Sequence, residues 1–592
     1  MIQRTTKLRL RRIFRRRKRQ VEGMGTVADA QLDKHFFRRL ARLIPIRRFF
    51  IGWVAFIILV VIAVAMQFGA LLNHYRKIQP VPGGTYTEGI IGTYTNVNPI
   101  YATGAVDSSV SRLLFGSLLK YDENSKLVPD LAESYTVDTT ETVYTVTLKP
   151  DLVWHDGISL TSRDVVFTYK TIQNPDARSY LFSSWKGVSV EAPDDRTVVF
   201  KLASTLSAFP HALTNGIIPE HSLGQIPADQ LRSNDFNTAK PVGAGPFQFE
   251  RLEVDSGEAG AREERVAMAP FNEYHAGMPL MSRFVIRTFK EQKSLEESYQ
   301  NKEISAMVGL STAPDILASD SSTKEYGVPL TGETMIFFKT SSGVLSEAAV
   351  RRALALATDK FALFSQIPYP LVNVDSPFLR SHVGYDKTHA QVVSNMAAAN
   401  AMLDGAGWVR NPQTGIRSKA DAPLSFRLFA ESTSEYATVT QLLQKQWREA
   451  GVDLQVMLQP EQDLQTTAST HNYEALLYSI SIGPDPDVYA YWHSSQADPR
   501  SSARLNFSEY NSRVADTALE AGRSRSDPTI RAVKYKPFLE VWKNDAPAIA
   551  LYQPRFLYIV RQPLYGFEMN SGVVAVDRYA HVEKWMIREA KK

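Results

Sequence analysis

Phe49 to Leu72 reads FFIGWVAFIILVVIAVAMQFGALL, 24 residues without a charge. A helix over this run reaches roughly 36 Å, enough to cross a hydrocarbon layer about 30 Å thick. Such a segment divides the chain into a part before the membrane, a part within it and a part beyond it. The flank before it is strongly basic, so the positive-inside rule places the N-terminus in the cytoplasm and everything after about His74 outside. A cleaved signal peptide is the alternative, with Ala63–Ala65 as the cleavage site. A 48-residue leading region is too long for one, and the apolar run continues past Ala65. An uncleaved, single-pass cell-membrane anchor is therefore expected.

The formal net charge of +5 hides a segregation. Residues 1–48 hold 16 Lys and Arg against Glu22, Asp29 and Asp33, a net +13, and the remainder carries −8. The tract RLRRIFRRRKRQ, Arg9–Gln20, suits anionic lipid better than nucleic acid, because it lies close to the membrane segment. Leu32, Phe36, Leu40 and Leu43 form a helical stripe beside Arg38, Arg39 and Arg42, as an interfacial helix would. The chain has no cysteine, which excludes disulfides, thiolate metal sites, a cysteine nucleophile and a lipid-modified N-terminal cysteine.

Beyond the linker QPVPGG, Gln79–Gly84, periodicities alternate between two and about 3.6. A helix is expected over Ser109–Leu119, and strands over residues 143–148 and 196–203. Thr161 and Asp164 have the spacing of a capping box. Further on, a strand at Leu424–Glu431, a helix at about 435–450, a left-handed cap at Gly451 and a strand at Val452–Leu458 make a βαβ unit. Two more helices follow Ser346 and lead up to Gly405. At 592 residues the chain exceeds one compact core.

The residues show no catalytic signature: no GxSxG, HExxH, Walker loop or GxGxxG opening a helix. His211 and His221 stand ten apart across a proline-containing loop, a poor metal pair. Asp194–Asp195, Asp485/Asp487 and Glu263–Glu264 read as loop charges. In VWHDG, His155 has the chemistry of a general base, but it sits in a turn between strand and helix cap. A structural corner is the plainer reading.

Several stretches in order resemble one family, the extracytoplasmic solute-binding proteins of ABC transporters, peptide/nickel type (family 5). They are NVNPIYA, the run LLFGSLLKYDENSKLVPDLAESYTVDTTETVYTVTLKPDLVWHDGISLTSRDVVFTYK, PVGAGPF, FFKTSSGVLSEAAVRRALALATDK, AMLDGAGW, PDPDVYAYW and DAPAIALYQPRFLYIV. The resemblance implies a two-lobed α/β fold of the periplasmic-binding-protein type (type II, large cluster) with an inserted accessory subdomain, preceded by one transmembrane helix. It implies lobe I over 85–288 with the insertion at about 101–240, lobe II over 289–555, and a return to lobe I over 556–592. Before these come the basic segment 1–48, the membrane helix 49–72 and a linker 73–84. It further implies a non-enzymatic, cofactor-free protein that binds peptide or a similar polar solute between the lobes and delivers it to ABC permease subunits.

By position in those motifs, the ligand-binding candidates are Tyr101, Thr103, Gly243, Gly245, Ser481, Asp485, Tyr489 and Trp492. Peptide-binding members carry an acid shortly before the Asp-Pro pair. Here that stretch is YSISIGPDPDVYAYW, with no acid before Asp485, so a ligand other than an ordinary short peptide is also open. A tethered ligand sensor of the same fold is the rival reading, motivated by the length of residues 1–48.

Overall fold

A computed structural model describes residues 47–75, 78–256, 262–310, 314, 320–498 and 504–591. The Arg9–Gln20 tract and the Leu32–Leu43 stripe lie outside the described residues. The chain divides into two units, Met1–Gln79 with Glu589–Lys592, and Pro80–Arg588.

Among the described residues of the first unit, Arg47–Tyr75 forms a helix. Its stretch Phe49–Gly69 is long and apolar enough to span a membrane, and among the described residues nothing buries it. Phe49, Ile57 and Met66 are among its exposed apolar side chains. A helix apolar on every side requires an apolar surrounding.

The second unit, Pro80–Arg588, is built on two sheets. The first has seven strands in the order Thr323–Pro329, Arg555–Arg561, Ala306–Val308, Thr85–Ile91, Arg283–Phe289, Arg262–Pro270 and Phe247–Ser256. Thr85–Ile91 lies at its centre with parallel neighbours on both sides. The second sheet has five strands: Asp453–Gln459, Ser425–Glu431, Ala475–Ser481, Gly332–Phe338 and Ala548–Tyr552. Apolar clusters cover both of its faces. Ile336 and Phe338 enter one, Met335 and Phe337 the other, so Gly332–Phe338 is buried throughout. A strand covered on both faces loses the alternation that marks a half-exposed one.

The lobe boundaries differ from the sequence expectation. Residues after 289 do not yet belong to lobe II, because Ala306–Val308 and Thr323–Pro329 pair with Thr85–Ile91 and Arg555–Arg561 in the first sheet. The helix Gln292–Gln300 also packs there, through Leu295 and Tyr299. The chain crosses between Pro329 and Gly332 and returns between Tyr552 and Arg555. Leu330 N–H donates to Pro554 O at 2.9 Å, and Gln553 Nε2 to Leu330 O at 3.0 Å, so the two crossings are bonded to each other.

Within the expected insertion lies a four-stranded sheet, Ala132–Val137, Val143–Leu148, Thr197–Lys201 and Ser189–Glu191. The helix Ser162–Gln173 covers it, and Tyr169 stacks on Trp185 at 3.9 Å. The capping box forms: Thr161 N–H donates to Asp164 Oδ2 at 2.8 Å and Arg163 N–H to Thr161 Oγ1 at 3.4 Å. The βαβ unit forms as parallel strands joined by the helix Ser434–Glu449, with Gly451 at φ +89°. Some bounds shift. The helix expected at 109–119 runs Ala105–Leu114, and Leu119 begins a strand. Glu347 rather than Ser346 precedes the helix Ala348–Ala357.

Candidate functional site

The helix Ala105–Leu114 buries Val106, Val110, Leu113 and Leu114. Arg112 falls off that apolar stripe and is half-buried at the rim of a cavity of about 540 Å³. The far end of the chain, Val574–Arg578, also lines this cavity. Arg578 positions this wall. It is fully buried and pairs with Glu88 at the centre of the first sheet, Nε to Oε1 at 3.1 Å. Tyr579 Oη donates to Glu88 Oε1 at 2.6 Å and Tyr558 Oη to Oε2 at 2.9 Å. Arg578 Nη2 also reaches Ser109 Oγ at 2.9 Å, tying the wall to the helix that carries Arg112. A buried ion pair holds its geometry only when hydrogen bonds satisfy the remaining polar atoms, as they do here.

Thr103, Ser108, Thr214 and Asn215 supply polar groups to the cavity, and Tyr121 and Tyr180 supply aromatic ones. Tyr121 Oη and His211 Nδ1 are 2.9 Å apart. Burial lowers the His211 pKa, with Asp485 of the second lobe opposing the shift and Arg531 adding to it. Asp577, 4 % exposed, has its carboxyl pKa raised by burial, against the pull of Arg112. Gly483 lies beside Val573: a Cβ built on it would stand 4.0 Å from Val573 Cγ1. The end of strand Ala475–Ser481 thus approaches the wall that Val574–Arg578 forms.

Of the eight sequence candidates, only Thr103 lines this cavity. Tyr101 is buried, with its hydroxyl unpartnered and its ring under the Arg232 guanidinium at 5.4 Å. Ser481 is exposed, and its carbonyl accepts from Tyr491 Oη at 2.8 Å. Asp485 makes a two-point ion pair with Arg531. Tyr489 lines a second hollow, about 360 Å³, where the four-stranded sheet's loop meets the second lobe, and it lies under Arg523 at 4.1 Å. Trp492 is in the core rather than on a cavity wall: it is fully buried, against Phe337 and Trp542.

Gly243 and Gly245 are placed by close backbone approach. A Cβ on Gly243 would stand 1.8 Å from Leu114 O, and one on Gly245 2.6 Å from Leu113 O. His155 clamps this turn. Its backbone N–H donates to Gly243 O at 2.8 Å, its ring Nδ1 accepts from Gly243 N–H at 3.2 Å, and its Nε2 stands 3.1 Å from Gly245 O. These contacts require the neutral Nε2–H tautomer, and burial lowers the ring's pKa to about 4. The VWHDG turn holds the glycine turn still.

Sequence reasoning missed Arg112 and Asp577. Arg112 left a signal, as the charge opposite the apolar stripe of an expected helix. Asp577 left none, since its neighbourhood is assembled from segments more than 450 residues apart. Among the described residues no group of three or more His, Asp or Glu is arranged to hold a metal ion.

Comparison with known proteins agrees with this architecture. Residues 126–501, more than half of the chain, match the model of the bacterial extracellular solute-binding proteins, family 5. The oligopeptide-binding protein AppA of Bacillus subtilis is 25% identical over 525 residues, covering 86% of this chain and 92% of that protein. Its structure with a nonapeptide superposes with a TM-score of 0.71 over 86% of this chain and all of that one. NikZ of Campylobacter jejuni, solved with Ni(L-His), shares the fold at 23% identity and a TM-score of 0.73, over 85% of this chain and 99% of that one. The chain belongs to the bacterial extracellular solute-binding proteins of family 5.

Proposed function

We propose that this protein is the membrane-anchored substrate-binding subunit of an ABC importer, capturing oligopeptides or a similar polar solute without covalent chemistry. One observation carries the reading: the chain passes between the two sheets at the paired, mutually bonded segments 330–331 and 553–554, and a cavity with polar lining stands in the first lobe. Two short, mutually bonded crossings are the geometry of a hinge. A ligand touching both lobes stabilises the closed form by its differential affinity, and permease subunits read that form.

The second sheet offers backbone as well as side chains. The ladder from Ser425–Glu431 to Ala475–Ser481 ends at Leu476, so among the described residues Leu477–Ser481 has a bonded strand neighbour on one side. An extended ligand adds to such an edge through main-chain hydrogen bonds, which tolerate varied side chains. Thr103, Ser481 and Tyr489 remain our ligand contacts from the original eight. Tyr101, Gly243, Gly245, Asp485 and Trp492 act by shaping the lobes. Phe49–Leu72 tethers the protein with the binding unit extracytoplasmic, and the basic N-terminus meets anionic lipid on the cytoplasmic side.

The test is retention. Full-length protein in lipid nanodiscs is incubated with a mixed tri- to nonapeptide library, and bound and free fractions are read by mass spectrometry. Enrichment of intact peptides supports the reading with peptide as the solute; no enrichment of any peptide overturns peptide as the solute, and cleavage products overturn the reading as a whole.

A further inference from the structure

The four-stranded sheet of the first lobe presents one end to the second lobe. Its turn Asp138–Thr142 and the loop after strand Thr197–Lys201 form a single face there. Asp138 accepts the N–H groups of Thr140, Thr142 and Val143 at 3.2, 3.0 and 2.8 Å, which fixes the turn with Glu141 at φ +58°. Leu202 N–H donates to Thr142 O at 2.8 Å and Thr205 Oγ1 to Thr140 O at 3.3 Å, so the loop is held to the turn. Ser207 stands at the end of this loop, just before the helix Phe209–Ala212, and Thr214 and Asn215 beyond that helix line the 540 Å³ cavity.

The face meets the turn between the helices Arg513–Arg523 and Pro528–Asp545, which pack on the second sheet through Leu519 and Phe538. Ser207 donates both its backbone N–H and its Oγ to Arg523 O, at 3.0 and 3.2 Å. Ser526 Oγ donates to Glu141 Oε1. Arg523 O belongs to the last turn of its helix, where carbonyls lack intrahelical partners, so Ser207 satisfies a group that otherwise turns to water. The contact is built to part. Ser526 is exposed, and a hollow of about 360 Å³, lined by Ser204 from one lobe and Ser524 from the other, remains beside it. Donors and acceptors freed at such a rim pass to water instead of being stranded in a core.

We propose that the Ser207–Arg523 and Glu141–Ser526 contacts form a latch, which holds the lobes together at a second place besides the crossings and sets the ratio of closed to open protein before any solute arrives. The proposal rests on the lobe motion of the solute-binding reading above and goes beyond it, since both partners in each contact belong to the protein itself. Hydrogen bonds of this kind each change an equilibrium constant about twofold to tenfold. A larger closed fraction tightens the binding of any solute that prefers the closed form, in proportion to that fraction.

The experiment is single-molecule energy transfer on the full-length protein in nanodiscs. The chain has no cysteine, so Lys170→Cys and Lys445→Cys place one dye on each lobe, at exposed positions of the helices Ser162–Gln173 and Ser434–Glu449. Removing both hydroxyls, Ser207→Ala with Ser526→Ala, should lower the closed-to-open ratio about tenfold without peptide. Ser526→Asp sets a second carboxylate against Glu141 and should lower the ratio as well; Glu141→Lys added to Ser526→Asp should restore it. Restoration separates a latch from a substitution that merely folds badly. Ratios within about twofold of native in every variant, or no restoration by the exchanged pair, overturn the latch and leave the solute-binding reading intact. A native protein with one dye separation, unmoved by the tri- to nonapeptide library, overturns the lobe motion itself and the latch with it.

Discussion

Asp485 and Arg531 meet across two parallel hydrogen bonds, Oδ1 to Nη2 at 2.7 Å and Oδ2 to Nη1 at 2.8 Å. The pair joins the turn after strand Ala475–Ser481 to the helix Pro528–Asp545, with little of either side chain exposed. Asp485 Oδ1 also accepts from Asp487 N–H at 3.0 Å, so the carboxylate has no idle oxygen. Removing one partner of such a pair strands the other charge, at a cost of about 3 to 5 kcal/mol. Asp485→Ala should lower unfolding free energy by that order in urea titrations, while ligand affinity of the folded fraction changes less than about threefold. A large affinity loss with unchanged stability would make Asp485 a ligand contact instead.

Gly243 is the tightest backbone approach in the first lobe, with no room for a Cβ against the Leu114 carbonyl. Backbone cannot yield as a flexible side chain does, so Gly243→Ala should cost about 3 kcal/mol or more and lower the melting temperature. Gly277→Ala makes the control: a Cβ there meets nothing within 4 Å, and the strain is confined to its φ of +101°. Calorimetric scans showing equal losses for the two would remove close approach as the reason for glycine at 243.

The parts legible in the sequence were those whose cause is local. The Thr161–Asp164 box, the Gly451 cap and the alternation in Val143–Leu148 each depend on residues a few positions apart, and each forms. The lobe boundary was not local. Ala306–Val308 is three residues long, and only its pairing with Thr85–Ile91 and Arg555–Arg561 assigns it to the first sheet. Trp492 illustrates the same limit at the site. An aromatic residue after a turn is compatible with a cleft wall or a core, and its packing on Phe337 and Trp542 decides for the core. Arg112 and Asp577 lie on segments joined by the buried Glu88–Arg578 pair, whose members are 490 positions apart.

Two buried histidines should make the fold sensitive to acid. His155 and His382 both have pKa values lowered by burial to about 4, against 6.5 for a free ring. His382 accepts Leu379 N–H at Nδ1 and sets Nε2 2.8 Å from Gly483 O. Because the folded values are the lower ones, the unfolded chain takes up these protons first as pH falls. The associated stability is present above about pH 6.5 and declines toward pH 4, by roughly 3 kcal/mol per ring at most. His155→Asn retains an acceptor for Gly243 N–H and removes one titrating group. Plotted against pH, its unfolding free energy should be shallower than the native protein's by about one proton over that window. Superimposable slopes would show that the ring is already charged in the folded state.

Glu333 gives the opposite dependence, at the hinge. It follows the crossing at 330–331 on the strand Gly332–Phe338, is fully buried, and neither carboxyl oxygen has a partner among the described residues. Thr331 Oγ1, two positions earlier, is buried and unpartnered as well. Burial raises the Glu333 pKa well above 4.5, and the neighbouring Asp375 raises it further. The folded state therefore holds this proton where the unfolded chain has released it. Stability from the neutral acid is present below pH 4.5 and is lost as pH rises toward the folded value. Glu333→Gln keeps the shape and cannot ionise, so its stability relative to the native protein should improve steadily as pH rises above 4.5 in urea titrations. A difference that stays constant across that range would mean the carboxylate is ionised in both states and balanced by a cation inside the hinge.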